Sequence, residues 1–426
     1  MQARERAPGP IAVSERAAAL EPEIVAIRRD LHRHPELGFE EIRTAEIVAG
    51  HLRDLGIEVR TRIAGTGVAG ILRNESRLDG GPTRTVLLRA DMDALPIDEE
   101  NEHDYRSTVK GRMHACGHDG HTAILLGVAR LLAEDPPPGN VVLAFQPAEE
   151  KPGGAQPMIA AGVLADPPVD AALGLHLWTN LPVGTVGLNP GPLMAGASEF
   201  RLTIAGSGGH AALPHQAVDS VVVASHIVVA LQTLISRETN PLEPAVVSVG
   251  SIHGGTTFNV IAARAVLEGT VRAFDDRLLD RLRGRIESLA DGIARGMGAG
   301  AALEWTPHYP PTVNDPAMAA LVAHEAAAVV GKENVFQDVR TMGAEDMSYF
   351  LQAVPGCFFF VGAANPAKGI TAPHHSPRFD IDEAALPIGA EILSRAARAY
   401  LAASSTTVSR SRSQLPPRTF PRSPPA

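Results

Sequence analysis

The chain has 426 residues, 45% of them hydrophobic and 20% charged, a composition that suits a soluble protein of two or three domains. A net charge of −10, with no Lys/Arg run in the folded part, argues against a nucleic-acid surface. Two cysteines cannot build a disulfide framework.

In chain order, the opening "MQARERAPGPIAVSERAAAL" is polar and lacks the apolar core of a secretory signal. No later stretch reads as a transmembrane span, so the cytoplasm is the expected location, with no membrane partner. A helix is predicted over 21–34, where Ile24, Ile27 and Leu31 recur at helical spacing, Pro22 is tolerated in the first turn and Pro35 ends it. A second amphipathic helix is expected over 40–56, stopped by Gly56. The apolar run "RTVLLRADMDALP" reaches Asp91 and Asp93 as it ends, and "GHDGHTAILLGVARLLAED" reads as a helix with Asp119 or Thr122 near its start. Strands follow in "GNVVLAFQPAEE", ending at Glu149 and Glu150, in "VDAALGLHLW", ending at His176, and later in "PGCFFFVGAAN", with "PHHSPRFDID" as a loop. This alternation predicts an α/β sheet with helices on its faces. Ligands of open α/β sheets bind beyond the carboxyl ends of the strands, so the carboxylates and His176 are expected to converge on one crevice.

The pattern changes between 190 and 306. The order "SEFRLTIAGSG" (strand), "DSVVVASHIVVALQTLISRE" (helix), "AVVSVGSIHGG" and "ARAVLEGTVRAF" (strands), "DRLLDRLRGRIESLADGIARGMG" (helix) and "AALEWTPHY" (strand) is the β-α-β-β-α-β unit of ferredoxin-like domains. The expected organisation is therefore a larger α/β domain formed by 1–189 and 307–402, an inserted ferredoxin-like domain over 190–306, and a disordered tail over 403–426. The tail is rich in Pro, Ser and Arg and carries no acid.

The densest chemistry is "MHACGHDGH", residues 113–121, which sets Cys116 between His114 and His118 in a chain whose other cysteine is Cys357. Thiolate and imidazole together suit borderline metals such as zinc, and Gly117 and Gly120 loosen the backbone there. His121 is expected to be a plain residue of the helix's first turn, and His114 is left undecided. Adjacent Glu149 and Glu150 repel one another unless cations compensate. Next to a metal, one can bind the ion while its neighbour takes a proton from the attacking water. His176 sits in apolar company, where a satisfied core histidine is an alternative to a ligand. Of His374 and His375, one is expected to be only a neighbour. "GSGGHAALPH" has no phosphate-loop spacing or lysine, but its glycines can present His210.

The blocks "RADMDALP", "MHACGHDGHT", "FQPAEE", "GLHLW", "GGHAALPH", "GTTFNVI", "GAEDMSYF" and "HHSPRFD" resemble, in order, the M20 metallopeptidase family. They are most similar to its amidohydrolase branch of hippurate hydrolases, auxin-amino-acid hydrolases and N-acyl-amino-acid deacylases. The resemblance runs from the first helix to the start of the tail. It implies a metallopeptidase-type catalytic domain with a central, mostly parallel sheet and an inserted lid or dimerisation domain. It also implies two divalent ions (Mn, Zn, Co or Ni) held by Cys116, His118, Glu150, His176 and His375, with Glu149 as general base. His375 is preferred to His374 because it directly precedes "SP". His210 and Asn259 match positions that stabilise the substrate carbonyl and oxyanion, the histidine often coming from the other subunit of a dimer. Peptidase members carry His-x-Asp where this chain has Arg89-Ala-Asp91. Arginine cannot ligate a metal, which fits the amidohydrolase branch and leaves Asp91 behind the ligands. The implied activity is hydrolysis of N-acyl amino acids to a carboxylate and a free amino acid by a homodimer. A dipeptidase or aminopeptidase on the same fold, or a non-catalytic conjugate binder, are the competing readings.

Overall fold

The computed structural model describes residues 11–74 and 83–403, so the tail expected over 403–426 lies outside the described residues apart from its first. After a short helical turn over Glu15–Ala19 come helices α1 (Glu21–Arg33) and α2 (Ile42–Asp54). Pro22 occupies the first turn of α1, where no backbone N–H is needed, and Ile24, Ile27 and Leu31 are buried along one stripe. Strands β1 (Glu58–Ile63), β2 (Gly67–Leu72) and β3 (Thr85–Asp91) are followed by α3 (His118–Glu134), β4 (Asn140–Gln146), β5 (Ala171–Pro182) and β6 (Val186–Gly187). After an intervening unit, α6 (Pro316–Val330), β11 (Val335–Phe336), α7 (Met347–Ala353), β12 (Gly356–Ala364) and α8 (Ala385–Ala402) complete the larger body.

Its eight strands run in the order β1-β2-β4-β3-β5-β12-β6-β11. The central four, β4, β3, β5 and β12, are mutually parallel, while β1, β2 and β6 pair antiparallel with their neighbours toward the middle of the sheet. Strands β3, β4 and β12 are buried along their whole length, as continuous apolar runs require when helices cover both faces. One face carries α1, α3, α6 and α8 over a core that includes Leu31, Ile124, Leu143 and Phe359. The other carries Ala155–Ala160 and α7 over Leu87, Val142, Met158, Phe350 and Phe358.

Two expected strand ends differ. The strand expected to reach Glu150 stops at Gln146, because Pro147 has no N–H to continue the ladder and Ala148 turns the chain at φ 52°. His176 is not a terminus either, since β5 continues to Pro182. Its pairing with β3 stops at Arg89 opposite Gly174, however, so beyond that point the β3 side of β5 opens into a crevice.

The intervening residues form β7 (Gly196–Ala205), α4 (Ser220–Thr233), β8 (Ala245–Gly254), β9 (Arg264–Ala273), α5 (Asp276–Gly296) and β10 (Gly300–Pro307). The strands make a separate antiparallel sheet in the order β8-β9-β7-β10. Its own core contains Leu202, Ile227, Leu267 and Ile286. The segment Ser220–Glu238 is long and apolar enough to cross a membrane by length and composition. Here Val223, Ala224, Ile227 and Leu231 of that segment are buried, while Val221, Val222 and Val229 are exposed.

Candidate metal centre

The parallel arrangement sends β3, β4 and β12 out at one edge of the sheet, and the loops that leave them carry most of the chemistry. The loop before α3 brings Cys116, Gly117 adopts a left-handed conformation (φ 93°) that a side chain would strain, and His118 begins the helix. The turn after β4 carries Glu149 and Glu150, β5 supplies His176, and the loop after β12 supplies His375. These side chains converge. Ligand-capable atoms of Cys116, His118 and His176 lie within 4.8 Å of one another, as do those of Cys116, Glu150 and His375, and those of His118, Glu149 and Glu150. Cys116 Sγ is 3.5 Å from His176 Nε2, and His375 Nε2 is 3.1 Å from Glu150 Oε1.

The donors fit divalent cations. His118 Nδ1–H donates to the Asp93 carbonyl at 2.9 Å and His176 Nδ1–H to the Leu177 carbonyl at 2.7 Å. Each bond ties up Nδ1 and turns Nε2 toward the centre, the orientation of metal-ligating histidines. His118 Nε2 and Glu150 Oε1 are buried without a well-directed hydrogen bond, a cost that an ion at this position removes. Burial, with help from the neighbouring histidines, holds the His176 imidazole neutral well below its usual range. The donor set of one thiol, three imidazoles and a carboxylate suits borderline metals.

Asp93 organises the glutamate pair. Its two carboxylate oxygens accept the backbone N–H groups of Glu149 (2.9 Å) and Glu150 (3.0 Å), and Tyr309 Oη donates to the Glu149 carbonyl at 2.6 Å. Glu149 is 6% exposed. Burial pushes its carboxyl well above the usual range, with Glu345, Glu150 and Asp346 adding to the effect. His375 has φ 65°, rare for a residue with a side chain, and its N–H bonds the Ala115 carbonyl at 2.8 Å, tying this loop to the cysteine loop. Its neighbour His374 is turned into other contacts, with its ring against Trp178 and Nε2 at 2.9 Å from the Leu177 carbonyl.

Asp91 lies behind this shell. Its Oδ2 is 3.6 Å from His118 Nε2, while Arg89 Nη1 donates to it at 2.7 Å. His121, expected to be a plain turn residue, links the two layers. Its Nε2 accepts the Leu177 N–H at 2.8 Å and its Nδ1–H donates to Asp91 Oδ1 at 2.6 Å. The sequence placed Asp93 at a strand end and His121 in a helix turn without assigning either of them these contacts, and Tyr309 was not singled out. The "DMD" spacing that puts Asp93 two residues past Asp91 was the available signal for the first.

The donors border a cleft of about 440 Å³, whose far wall includes Glu199, Thr270 and Arg272 of the small sheet. His210 and Asn259 are not in it. They line a different cavity, where His210 pairs with Val260 between two short strands and both residues are exposed.

Residues 87–399 match the profile of Peptidase family M20/M25/M40. The chain is 44% identical over 381 residues to the putative amidohydrolase YhaA of Bacillus subtilis, covering 89% of this chain and 94% of that one. It is 42% identical over 384 residues to IAA-amino acid hydrolase ILR1-like 4 of Arabidopsis thaliana, covering 89% and 86%. The crystal structure of Bacillus subtilis YXEP, a dinuclear metal-binding peptidase of the M20 family, superposes with a TM-score of 0.78 at 35% identity, over 90% of this chain and 99% of that one.

Burial, with Glu150 and Glu149 adding, pushes the Cys116 thiol well above its usual range. Burial opposes a charged His118, yet Asp91 and Asp93 raise it to about 10. Both groups therefore hold a proton in the metal-free protein at pH 8, and both must lose it to ligate. Loading a divalent metal at that pH is expected to release protons, and about one fewer per chain in Cys116→Ser. The measurement is the dependence of calorimetric binding heat on buffer ionisation enthalpy. Metal uptake without proton release would remove both residues from the ligand set.

Proposed function

Since the chain belongs to Peptidase family M20/M25/M40, we propose that it is a metal-dependent amidohydrolase that cleaves N-acyl amino acids to a carboxylate and a free amino acid. The observation that carries this reading is the pair of donor groups sharing Cys116 beside the buried carboxylate of Glu149, at the edge of one cleft. Cys116, His118, Glu150, His176 and His375 would hold two divalent ions. When bound, these supply Lewis acidity, lowering the pKa of water and polarising a carbonyl.

The remaining work falls to side chains of this chain. Glu149, whose buried carboxylate is a strong proton acceptor, takes the proton of the attacking water and returns it to the leaving nitrogen. The Asp93 and Tyr309 contacts fix its backbone on both sides, which supports a fixed base rather than a mobile ligand. Arg272, half-buried in the opposite wall with one N–H on the Met342 carbonyl, meets the α-carboxylate that every N-acyl amino acid carries. A reducing compartment such as the cytoplasm suits Cys116 and Cys357, both free thiols.

The unit over 190–306 is read as a lid and dimerisation domain. Its exposed Val221, Val222, Val229 and Ile252, with β8 at a sheet edge, support a homodimer. His210 and Asn259 lie outside the cleft of their own chain, which fits His210 of the partner subunit stabilising the oxyanion when the domains close.

Three measurements test these roles. N-acetyl and N-benzoyl amino acids are expected to be hydrolysed in preference to free dipeptides by metal-loaded enzyme, and preference for dipeptides would move the chain to the peptidase side. Glu149→Gln is expected to retain metal and lose roughly a hundred- to ten-thousand-fold in kcat with little change in KM, whereas Glu150→Gln loses metal. Inverted metal contents would exchange the two roles. Light scattering at micromolar protein is expected to give the mass of a dimer, and a fully active monomer is the contrary result.

A further inference from the structure

The residue after His118 belongs to a different constellation. His32 of α1, and Glu99 and His103 of the loop between β3 and α3, bring His32 Nε2, Glu99 Oε1 and His103 Nε2 within 4.8 Å of one another. Each imidazole Nε2 lies 3.3 Å from Glu99 Oε1. Both ring nitrogens of His103 are buried, and the contact of Nε2 with Glu99 is too poorly directed to be a hydrogen bond.

Three features fit a cation better than a hydrogen-bonded cluster. A tetrahedral zinc ion with bonds of about 2.0–2.1 Å separates its ligand atoms by roughly 3.3–3.4 Å, which is the spacing found between the carboxylate and each imidazole. The far atoms of the ligands are also held. His32 Nδ1 bonds Asp119 Oδ2 at 2.8 Å, the carboxylate–histidine pairing that orients a metal ligand. Arg28 Nε donates to the same Asp119 oxygen at 2.8 Å. Glu99 Oε2 accepts the Ser107 N–H at 2.6 Å, while Oε1 faces the Asn101 amide at 3.1 Å and His32 Nε2 at 3.3 Å, and the His103 ring is stacked on Tyr105 with centroids 3.7 Å apart. Finally, the carboxylates of Glu99, Asp119, Asp380 and Glu383 outnumber the guanidiniums of Arg28 and Arg29 that meet them, which leaves room for a divalent charge. A protonated His32 would neutralise part of that excess. Burial and Arg28 oppose its charge, but Asp119 and Glu99 raise its pKa. That account still leaves the His103 nitrogens without a well-directed hydrogen bond.

We propose that His32, Glu99 and His103 bind one further divalent cation of zinc type, separate from the Cys116–His375 centre, that pins α1 to the loop leading into the cysteine segment. Two imidazoles and a carboxylate, with a position left for water or for Asp380, whose Oδ2 is 3.9 Å from His103 Nε2, form a recognised zinc ligand set. The inference uses none of the residues on which the proposed hydrolase activity rests.

The test is the zinc content of the full-length enzyme after equilibration against buffered zinc, for wild type, His103→Gln and Cys116→Ser, beside zinc-edge anomalous diffraction from wild-type crystals. His103→Gln is expected to hold about one equivalent less than wild type while keeping most of its hydrolytic rate. Cys116→Ser should keep that equivalent, and the anomalous map should carry a peak between His32, Glu99 and His103. Equal zinc in wild type and His103→Gln, or a wild-type map with no peak there, overturns the proposal. Should His103→Gln fail to fold, the wild-type map decides alone.

Discussion

Arg89 is completely buried, and the architecture of the site depends on how its one positive charge is shared. Nη1 donates to Asp91, Nη2 lies 2.9 Å from both Asp346 and Glu345, and Nε donates to Gln146. Burial opposes the charge on Asp91, yet the adjacent guanidinium holds its carboxyl well below the usual range. Three carboxylates cannot all be compensated by one cation, and Glu345 yields, pushed up by burial to about 8. Taking one partner from such a buried network costs about 3–5 kcal/mol, so the arrangement is effectively obligatory. Asp346 carries it onward, accepting from Gly154 and Ala155 and so fastening the far end of the turn that holds Glu149 and Glu150. Where peptidase relatives are expected to place a ligating histidine, this chain has a permanent cation that fixes the geometry of the glutamate turn.

The same economy of function governs the histidines. His118 and His176 each spend one ring nitrogen on a backbone carbonyl and turn the other to the centre. His121 uses both, accepting from β5 and donating to Asp91, which leaves it no lone pair for an ion. His374 is occupied by the Leu177 carbonyl. Hydrogen bonding thus separates histidines that could ligate an ion from those that support the site. Residue type alone cannot do this.

That sorting marks the limit of what was legible in the sequence. Helical spacing located α1, α2, α3 and α5 within a few residues, because one buried stripe suffices to define an amphipathic helix. The apolar runs located the parallel strands, and the carboxylates beyond them pointed to one edge of the sheet. The exact end of β4 was not legible. It depends on Pro147 and on a left-handed Ala148, and the backbone conformation of an alanine leaves no trace in its identity. The role of Asp93, and Tyr309 altogether, were missed for a related reason. Each acts on the main chain of the glutamate turn from a distant part of the sequence, so no local pattern records the contact. His210 and Asn259 were legible only through resemblance, and their place outside the cleft follows from a pairing of short strands that no periodicity announces.

The distribution of roles between the two sheets follows from these constraints. Every proposed ligand, and Glu149, sits on the body built around the eight-stranded sheet, on strand β5, the start of α3 or loops held by hydrogen bonds. Glu199, Thr270 and Arg272, which face them across the cleft, belong to the four-stranded sheet with its separate core. A metal centre tolerates little movement among its donors, whereas a substrate must enter and leave. Two cores joined through a polar cleft allow one body to shift against the other without disturbing either interior. Such a shift changes the distance from Arg272 to Glu149 and leaves the distances within the donor set unchanged. On the proposed roles, the fold separates the part that would hold the ions and move the proton from the part that would grip the substrate. Opening for product release then costs cleft contacts rather than ligand geometry.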